Sequence, residues 1–267
     1  NFWDELSFHK LGPAKAFVDK LIEADLKIHW TAAIRADLMG KDVDAKGNPI
    51  PREERLELAK KFVDAGCVSA GYSLESGSDK ILQAMNKRVQ SKYFKEQVNI
   101  CREAGLTTDT SVIIGYPEET KETIAETYSK LHELKVYPST GYLIPLPETG
   151  MWKYALENGF IGDNNGNNDK IKNIDDYLTQ ITERQDFSLN LTKMTDDDLK
   201  NETLKWLSKL NKDFGINLDE SKLIKTGGED ESGKNQTKER VIPENVVQRN
   251  KTTDDSLNYA TAKGTMR

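Results

Sequence analysis

The sequence predicts an α/β fold: a partial (β/α) TIM-type barrel of parallel strands, followed by a small helical C-terminal extension and a disordered tail. Three observations lead there. Apolar or β-branched runs centred on Trp30, Gly71, Val112 and Tyr142 recur at intervals of roughly 30–40 residues, the length of a strand–helix–strand unit (~30 residues or more). Each interval contains apolar residues at helical spacing, which makes the repeating unit strand, loop, helix and return, and the strands parallel. Each strand run also ends in a polar loop. A doubly wound sheet satisfies the same spacing. The expected organisation is a barrel unit over 1–161, a mostly helical extension over 162–225 and a tail over 226–267.

The elements follow in order. Residues 1–5 read as a strand tip. Gly12-Pro13 opens a helix with Ala14, Phe17, Val18, Leu21 and Ile22 on one face, proline being tolerated in a first turn. Lys27 to Ala33 reads as a strand ending in Arg35-Ala36-Asp37. A helix bearing Leu56, Ala59, Phe62 and Val63 stops near Gly66. Ser69 to Leu74 is the next strand; it breaks into Glu75-Ser76-Gly77-Ser78, and Asp79 is expected to cap a helix carrying Ile81, Leu82 and Met85. A further helix runs from Ser91 to Ala104 and ends at Gly105. Thr107 to Ile114 is a β-branched strand that exits into Gly115-Tyr116-Pro117-Glu118-Glu119, and Thr120 caps the helix of Ile124, Tyr128, Leu131 and Leu134. Thr140 to Leu146 is the last strand, followed by a short helix to about Asn158.

Beyond Phe160 the composition shifts. Asp163, Asn165 and Asn167 imitate the start of a calcium loop, but the sixth position lacks glycine and the twelfth is Ile174, so the motif is rejected. Ile174, Tyr177, Leu178 and Ile181 form an amphipathic face. Thr195-Asp196-Asp197-Asp198 is a helix start signature, and its helix carries Leu199, Leu207, Leu210 and Phe214. From about Thr226 the chain is polar and aperiodic, the composition of disorder.

Composition narrows the function. The 267 residues include 44 acidic and 38 basic side chains for a net charge of −6, and no basic cluster stands out, which argues against nucleic-acid binding. No apolar run approaches the ~20 residues of a membrane span. Cys67 and Cys101 show no metal-ligand spacing; Cys101 follows Phe94 and Val98 at helical steps and reads as core, and two unpaired thiols suit a reducing, cytoplasmic setting. The chain opens on Asn1 in what reads as mid-strand, so a truncated N-terminus is expected. Leu146 to Gly150 spells a sortase signal, but it lacks the apolar and basic residues that must follow it and is a coincidence.

In a parallel barrel the strand-end loops share one rim. Here they carry Asp4-Glu5, Arg35 with Asp37, Glu75 to Ser78, Gly115 to Glu119 and Pro145 to Gly150. Carboxylates, an arginine, hydroxyls and exposed backbone near glycine suit a polar ligand with an amine, a carboxylate and a ribose.

These residues also carry a resemblance. Over roughly 1–161 the chain is similar to the C-terminal part of a radical S-adenosylmethionine (SAM) barrel, of the group often joined to a cobalamin-binding domain. The likeness lies in Phe2-Trp3-Asp4-Glu5 with Phe8, Trp30 with Arg35 and Asp37, Ala65-Gly66-Cys67 leading to Gly71 and Glu75-Ser76-Gly77, Met85 with Lys87, Gly115-Tyr116-Pro117-Glu118-Glu119-Thr120, and Pro145-Leu146-Pro147-Glu148-Thr149. It implies that Asp4 or Glu5 faces the SAM amine, Arg35 the SAM carboxylate and Glu75 the ribose, with Gly115 beside the adenine; Ser76, Pro117 and Pro147 belong to the same loops. It further implies a 4Fe-4S cluster, a 5′-deoxyadenosyl radical, a small-molecule substrate, an electron donor such as flavodoxin or ferredoxin, and in some relatives cobalamin-dependent methyl transfer. Two features depart from the family. No CxxxCxxC loop is present, so the chain alone is expected to be inactive, and Glu148 stands where glycine is usual. A cluster-free barrel acting as a binding module, or a barrel lyase of another kind, are the alternatives; no lysine within the apolar runs supports the latter.

Overall fold

Strand pairing settles the arrangement of the repeating units. The computed structural model of the protein describes residues 2, 6–162, 174–183 and 189–219. In chain order its elements are α1 (Leu11–Glu23), β1 (Trp30–Ala33), α2 (Arg52–Asp64), β2 (Cys67–Glu75), α3 (Asp79–Ala84), α4 (Ser91–Ala104), β3 (Thr108–Ile114), α5 (Lys121–Glu133), β4 (Ser139–Tyr142), α6 (Gly150–Glu157), α7 (Ile174–Glu183) and α8 (Asp196–Asp213). The four strands form one sheet in the order β1-β2-β3-β4. Every pair is parallel, with Ala32 opposite Ala70, Tyr72 opposite Thr110 and Val112 opposite Thr140. The parallel α/β architecture read from the spacing is therefore the observed one. The segment before α1 also lies along β1: Phe2 N–H donates to the Thr31 carbonyl at 3.1 Å, Ser7 N–H to that of Ala33 at 2.9 Å, and Phe8 bridges Ile34 in parallel.

Alternation along the strands separates two faces. Trp30, Ala32, Ala70, Tyr72, Leu74, Val112 and Ile114 are buried in one core with Val18 of α1, Phe62 of α2, Phe94 of α4, Tyr128 of α5 and Leu207 of α8. The connections between the parallel strands carry helices α2 to α5, and residues of α2, α4 and α5 pack on that face. At the α1 end Phe8, Phe17, Trp30 and Phe62 meet with ring centroids 5.2–6.3 Å apart, contacts worth about 0.5–1.5 kcal/mol each beyond burial. The Trp30 indole N–H is satisfied by the Ala65 carbonyl at 2.7 Å. A second cluster joins Trp152 and Ala155 of α6 to Tyr177 of α7, Leu189 and Leu191.

Helix ends follow their sequence signals with one correction. Thr120 caps α5 through a reciprocal capping box with Thr123, Thr195 caps α8 through the Asp198 N–H, and Gly105 ends α4 at φ +73°. Asp79, expected to cap its own helix, is instead the first residue of α3. Its carboxylate accepts from the Ser91 N–H at 2.8 Å and the Ser91 hydroxyl at 3.0 Å, so it caps α4, which has no side-chain cap of its own. The strand expected from Lys27 begins only at Trp30, because Ile28 is exposed and outside the ladder. The tail over 226–267 and the rejected calcium-like segment from Asp163 lie outside the described residues.

The turn from α2 into β2 is set by Gly66, at φ +85° with no room for a side chain: a Cβ there would lie 2.0 Å from the Ile28 carbonyl oxygen. Gly66→Ala is expected to lower unfolding free energy by about 3 kcal/mol or more, from the left-handed backbone and the clash together. Gly12→Ala, in α1 with open space around it, should stay within about 1 kcal/mol of the parent and on the stabilising side. Urea unfolding of the two variants checks the contrast.

Candidate functional site

All strands being parallel, their carboxyl ends and the loops after them lie along one edge of the sheet. After β1 the chain presents Arg35. Its Nε lies 2.6 Å from Asp37 Oδ1, and its Nη2 donates to Asp37 Oδ2 at 3.0 Å and to the Arg88 carbonyl at 2.9 Å. Asp37 is only 2% exposed; burial raises its pKa, and the Arg35 guanidinium partly opposes the shift. Buried Gln97 of α4 ties the loop down, donating to the Arg35 carbonyl and accepting from the Met39 N–H. Arg35 is thus half committed within the fold, which the sequence did not reveal; among the described residues its Nη1 has no hydrogen-bond partner within reach.

β2 ends on Glu75 at φ +65°. The Ser76 N–H donates back to the Leu74 carbonyl at 2.9 Å, closing a three-residue γ-turn of the φ-positive kind, which is rare and strained for a residue with a side chain. The Glu75 carboxylate is held by Lys87, with Oε1 2.7 Å from Nζ. Glu75 therefore makes the lysine pair that a purely structural role would supply, and its Oε2 has no partner among the described residues. Ser76 turns inward: it is fully buried, and its hydroxyl lies 3.1 Å from that of Thr127 on α5. Its side chain does not reach the open edge, contrary to the expectation that it joins the site. Gly77 does permit a close approach, but to α5, since a Cβ would lie 2.6 Å from Thr127 Cα.

β3 exits through Gly115 at φ +105°. Its N–H donates to Glu119 Oε2 at 3.2 Å, and the Thr123 hydroxyl donates to Glu119 Oε1 at 3.0 Å. Glu119 is 1% exposed and forms no ion pair among the described residues. Burial pushes its carboxyl up to about 7, against the opposing hydrogen bonds from Gly115 and Thr123. Pro117 is buried, and the Tyr116 hydroxyl donates to the Ala84 carbonyl at 2.9 Å. The sequence places Glu119 on the rim loop after β3; the structure shows that it is buried there. After β4, Pro145 is buried and accepts from the Tyr177 hydroxyl at 2.8 Å, while Pro147 and Glu148 are exposed. Glu148 sits at φ +65°, a conformation that favours the glycine expected there. Asp4 and Glu5 lie outside the described residues.

The sheet face away from the helices is small and polar. Ser69 donates to Asp109 Oδ1 at 2.9 Å and Ser111 to Ser73 at 3.0 Å, where closed barrels usually pack bulky branched side chains. The two cysteines offer nothing to a metal centre. Both are buried, burial pushes each thiol up to about 12, and no group of three or more His, Cys, Asp or Glu among the described residues is placed to hold an ion. No helix among those residues is long and apolar enough to cross a membrane.

Comparison with known proteins gives the following. The radical SAM superfamily profile matches residues 21–131. An uncharacterized methyltransferase, PH0819 of Pyrococcus horikoshii, is 27% identical over 143 residues, 53% of this chain and 28% of that protein. The tRNA-2-methylthio-N(6)-dimethylallyladenosine synthase of Methylacidiphilum infernorum is 34% identical over 90 residues, 33% of this chain and 19% of that one. The chain thus spans less than a third of the length of either relative. Among solved structures, coproporphyrinogen III oxidase (HemN) of Escherichia coli aligns with a TM-score of 0.46 at 15% identity, covering 75% of this chain and 37% of its own. The cobalamin-dependent radical enzyme OxsB, with aqua-cobalamin and SAM bound, aligns at 0.41 and 18% identity, covering 56% and 20%.

Glu119 gives a pH prediction. Its folded-state pKa of about 7 lies above the ordinary glutamate value of 4.5, so the folded state disfavours the ionised form. The penalty is absent below about 4.5, grows as pH rises toward 7, and is complete above it, on the order of 3 kcal/mol. Glu119→Gln should remove that dependence. Unfolding free energies of parent and variant from pH 4.5 to 8 should diverge in the variant's favour as pH rises; parallel curves would show that Glu119 does not titrate in this window.

Proposed function

We propose that this chain, whose residues 21–131 belong to the radical SAM superfamily, forms the part of a radical SAM enzyme that grips the adenosyl portion of S-adenosylmethionine. The observation carrying the reading is Glu75, a carboxylate held on a strained turn at the carboxyl end of a parallel strand with one oxygen left to accept. A ribose diol offers two O–H donors, and a carboxylate is its natural acceptor. Lys87 holds the Glu75 carboxylate in an ion pair at 2.7 Å. The Nη1 edge of Arg35 is available to the SAM carboxylate while the rest of the guanidinium stays on Asp37. Gly115, with Pro117 behind it, and Pro147 on the neighbouring loop flank the adenine. Asp4 or Glu5 faces the amine. Ser76 takes part through its backbone alone.

The family's chemistry also requires a 4Fe-4S cluster, which supplies the electron for reductive cleavage of SAM to a 5′-deoxyadenosyl radical. The residues present do not fit that cluster: the sequence has only two thiols, both buried in the core, and burial pushes each up to about 12, away from the thiolate a cluster needs. No step through it is assigned to this chain, whose task in this reading is to bind and orient the nucleoside. In this reading residues 1–161 are the barrel unit, 162–225 a C-terminal extension and 226–267 a tail. The small polar sheet face below Glu75 leaves room for a small-molecule substrate. Electrons come from a donor such as flavodoxin or ferredoxin in the cytoplasm. Methyl transfer is the reaction class we favour, on the likeness to PH0819, with cobalamin as its further cofactor.

Glu75→Gln, with SAM binding measured on the full chain, tests the assignment. Removing charge-assisted acceptance costs about 1.5–3 kcal/mol, so the Kd for SAM should rise roughly tenfold to a hundredfold with thermal stability almost unchanged. SAM binding at parental affinity would make Glu75 a structural residue.

A further inference from the structure

We propose that Thr127, buried on α5 and away from the ligand edge, is a positioning residue that sets the direction of Glu75. The proposal rests on the reading of Glu75 as the ribose contact. It starts from a geometric fact: an L-residue does not adopt φ +65° at a strand end unless its neighbours impose it. Those neighbours are held by two side chains of α5, Thr127 through its hydroxyl and Lys130 through its ammonium.

A threonine hydroxyl has one proton to give and two lone pairs to receive. Thr127 uses all three. It donates to the Thr123 carbonyl one turn back at 3.0 Å. It accepts from the Gly77 N–H at 2.9 Å. Its proton being spent, it must also accept from the Ser76 hydroxyl at 3.1 Å. Ser76 in turn accepts from the Ser78 N–H at 3.2 Å. One chain of hydrogen bonds thus runs from the loop through Thr127 into the backbone of α5, and each bond polarises the next. Thr127 and Ser76 are both fully buried, so water does not compete for these groups.

Two further contacts complete the clamp. Lys130 Nζ donates to the Gly77 carbonyl at 2.7 Å, so both polar groups of Gly77 are held by residues one helical turn apart on α5. Gly77 has no Cβ, and one would collide with Thr127 Cα at 2.6 Å; the loop lies flat on the helix only because of this. With Ser76 and Gly77 fixed against α5, the chain has to turn at Glu75, and the turn sends its carboxylate along the strand-end edge toward Lys87. Released from the clamp, residue 75 relaxes to an extended conformation and the direction of its Cα–Cβ bond changes.

Two substitutions of opposite character test this, with SAM binding measured on the full chain. Thr127→Val keeps the volume and loses the hydroxyl; Thr127→Ser keeps the hydroxyl and loses a buried methyl. If Thr127 positions Glu75, Thr127→Val raises the Kd for SAM about tenfold, while Thr127→Ser stays within about threefold of the parent despite a lower Tm. Affinity that tracks Tm across both variants, or parental SAM affinity in Thr127→Val, overturns the proposal. Should Thr127→Val not fold, Lys130→Met at a half-exposed position decides: weaker SAM binding at near-parental Tm supports the clamp, and unchanged binding refutes it. Glu75→Gln, run alongside, separates the two claims. If it weakens SAM binding and Thr127→Val does not, the positioning role alone is wrong; if it has no effect, the ribose reading fails and the positioning role with it.

Discussion

A parallel strand pair cannot be closed by a tight turn, so each strand has to be followed by an element that carries the chain back to the start of the next. That constraint fixes much of this protein. Four strands in sequential order, all parallel, place every strand exit on the same edge. The returning helices cover one face and draw Trp30, Tyr72, Leu74, Val112 and Ile114 into the core with Phe62, Phe94 and Tyr128. The other face carries Ser69, Ser73, Asp109 and Ser111 together with Ala33, Gly71 and Ile113. Edge and polar face adjoin, so a ligand gripped at the first has open, hydrogen-bonding space beside it.

Three of the exits share a further device. Glu75 after β2, Gly115 after β3 and Glu148 after β4 all take positive φ, at +65°, +105° and +65°. A left-handed residue turns the chain sharply: Glu75 at the end of β2, Gly115 just after β3, and Glu148 within the loop after β4. Only one of the three is glycine, so the other two conformations have to be imposed from outside. For Glu75 the imposing groups lie on α5. Gly115 is held by a buried carboxylate, Glu119, whose own ionisation the interior opposes. Strain and uncomfortable burial meet at these strand exits, as expected where structure is specified at the expense of stability.

The sequence made the repeating units legible because their signals are local and periodic. The β-branched run of β3, the Thr120 cap and the Gly105 stop each depend on a few adjacent residues, and the structure places each where it was read. What stayed hidden depends on residues far apart in the chain. Asp79 looks like a cap for its own helix, and only the fold brings Ser91 to it. Ser76 looks like a rim hydroxyl until α5 is laid over it. Arg35 looks free until Asp37 is found buried beneath it. Thr127 carries no sequence signal: a threonine inside an amphipathic helix reads as a filler, and its role appears only when Ser76 and Gly77 arrive from fifty residues upstream.

The most direct test of the account is a structure of the holoenzyme with SAM bound. The account predicts SAM at the carboxyl edge of the sheet, with the Glu75 carboxylate about 2.6–3.0 Å from the ribose O2′ or O3′ and the γ-turn at Glu75 intact above Thr127. SAM seated elsewhere, or at that edge with Glu75 still engaged only by Lys87 and its carboxylate more than about 4 Å from the diol, would contradict it.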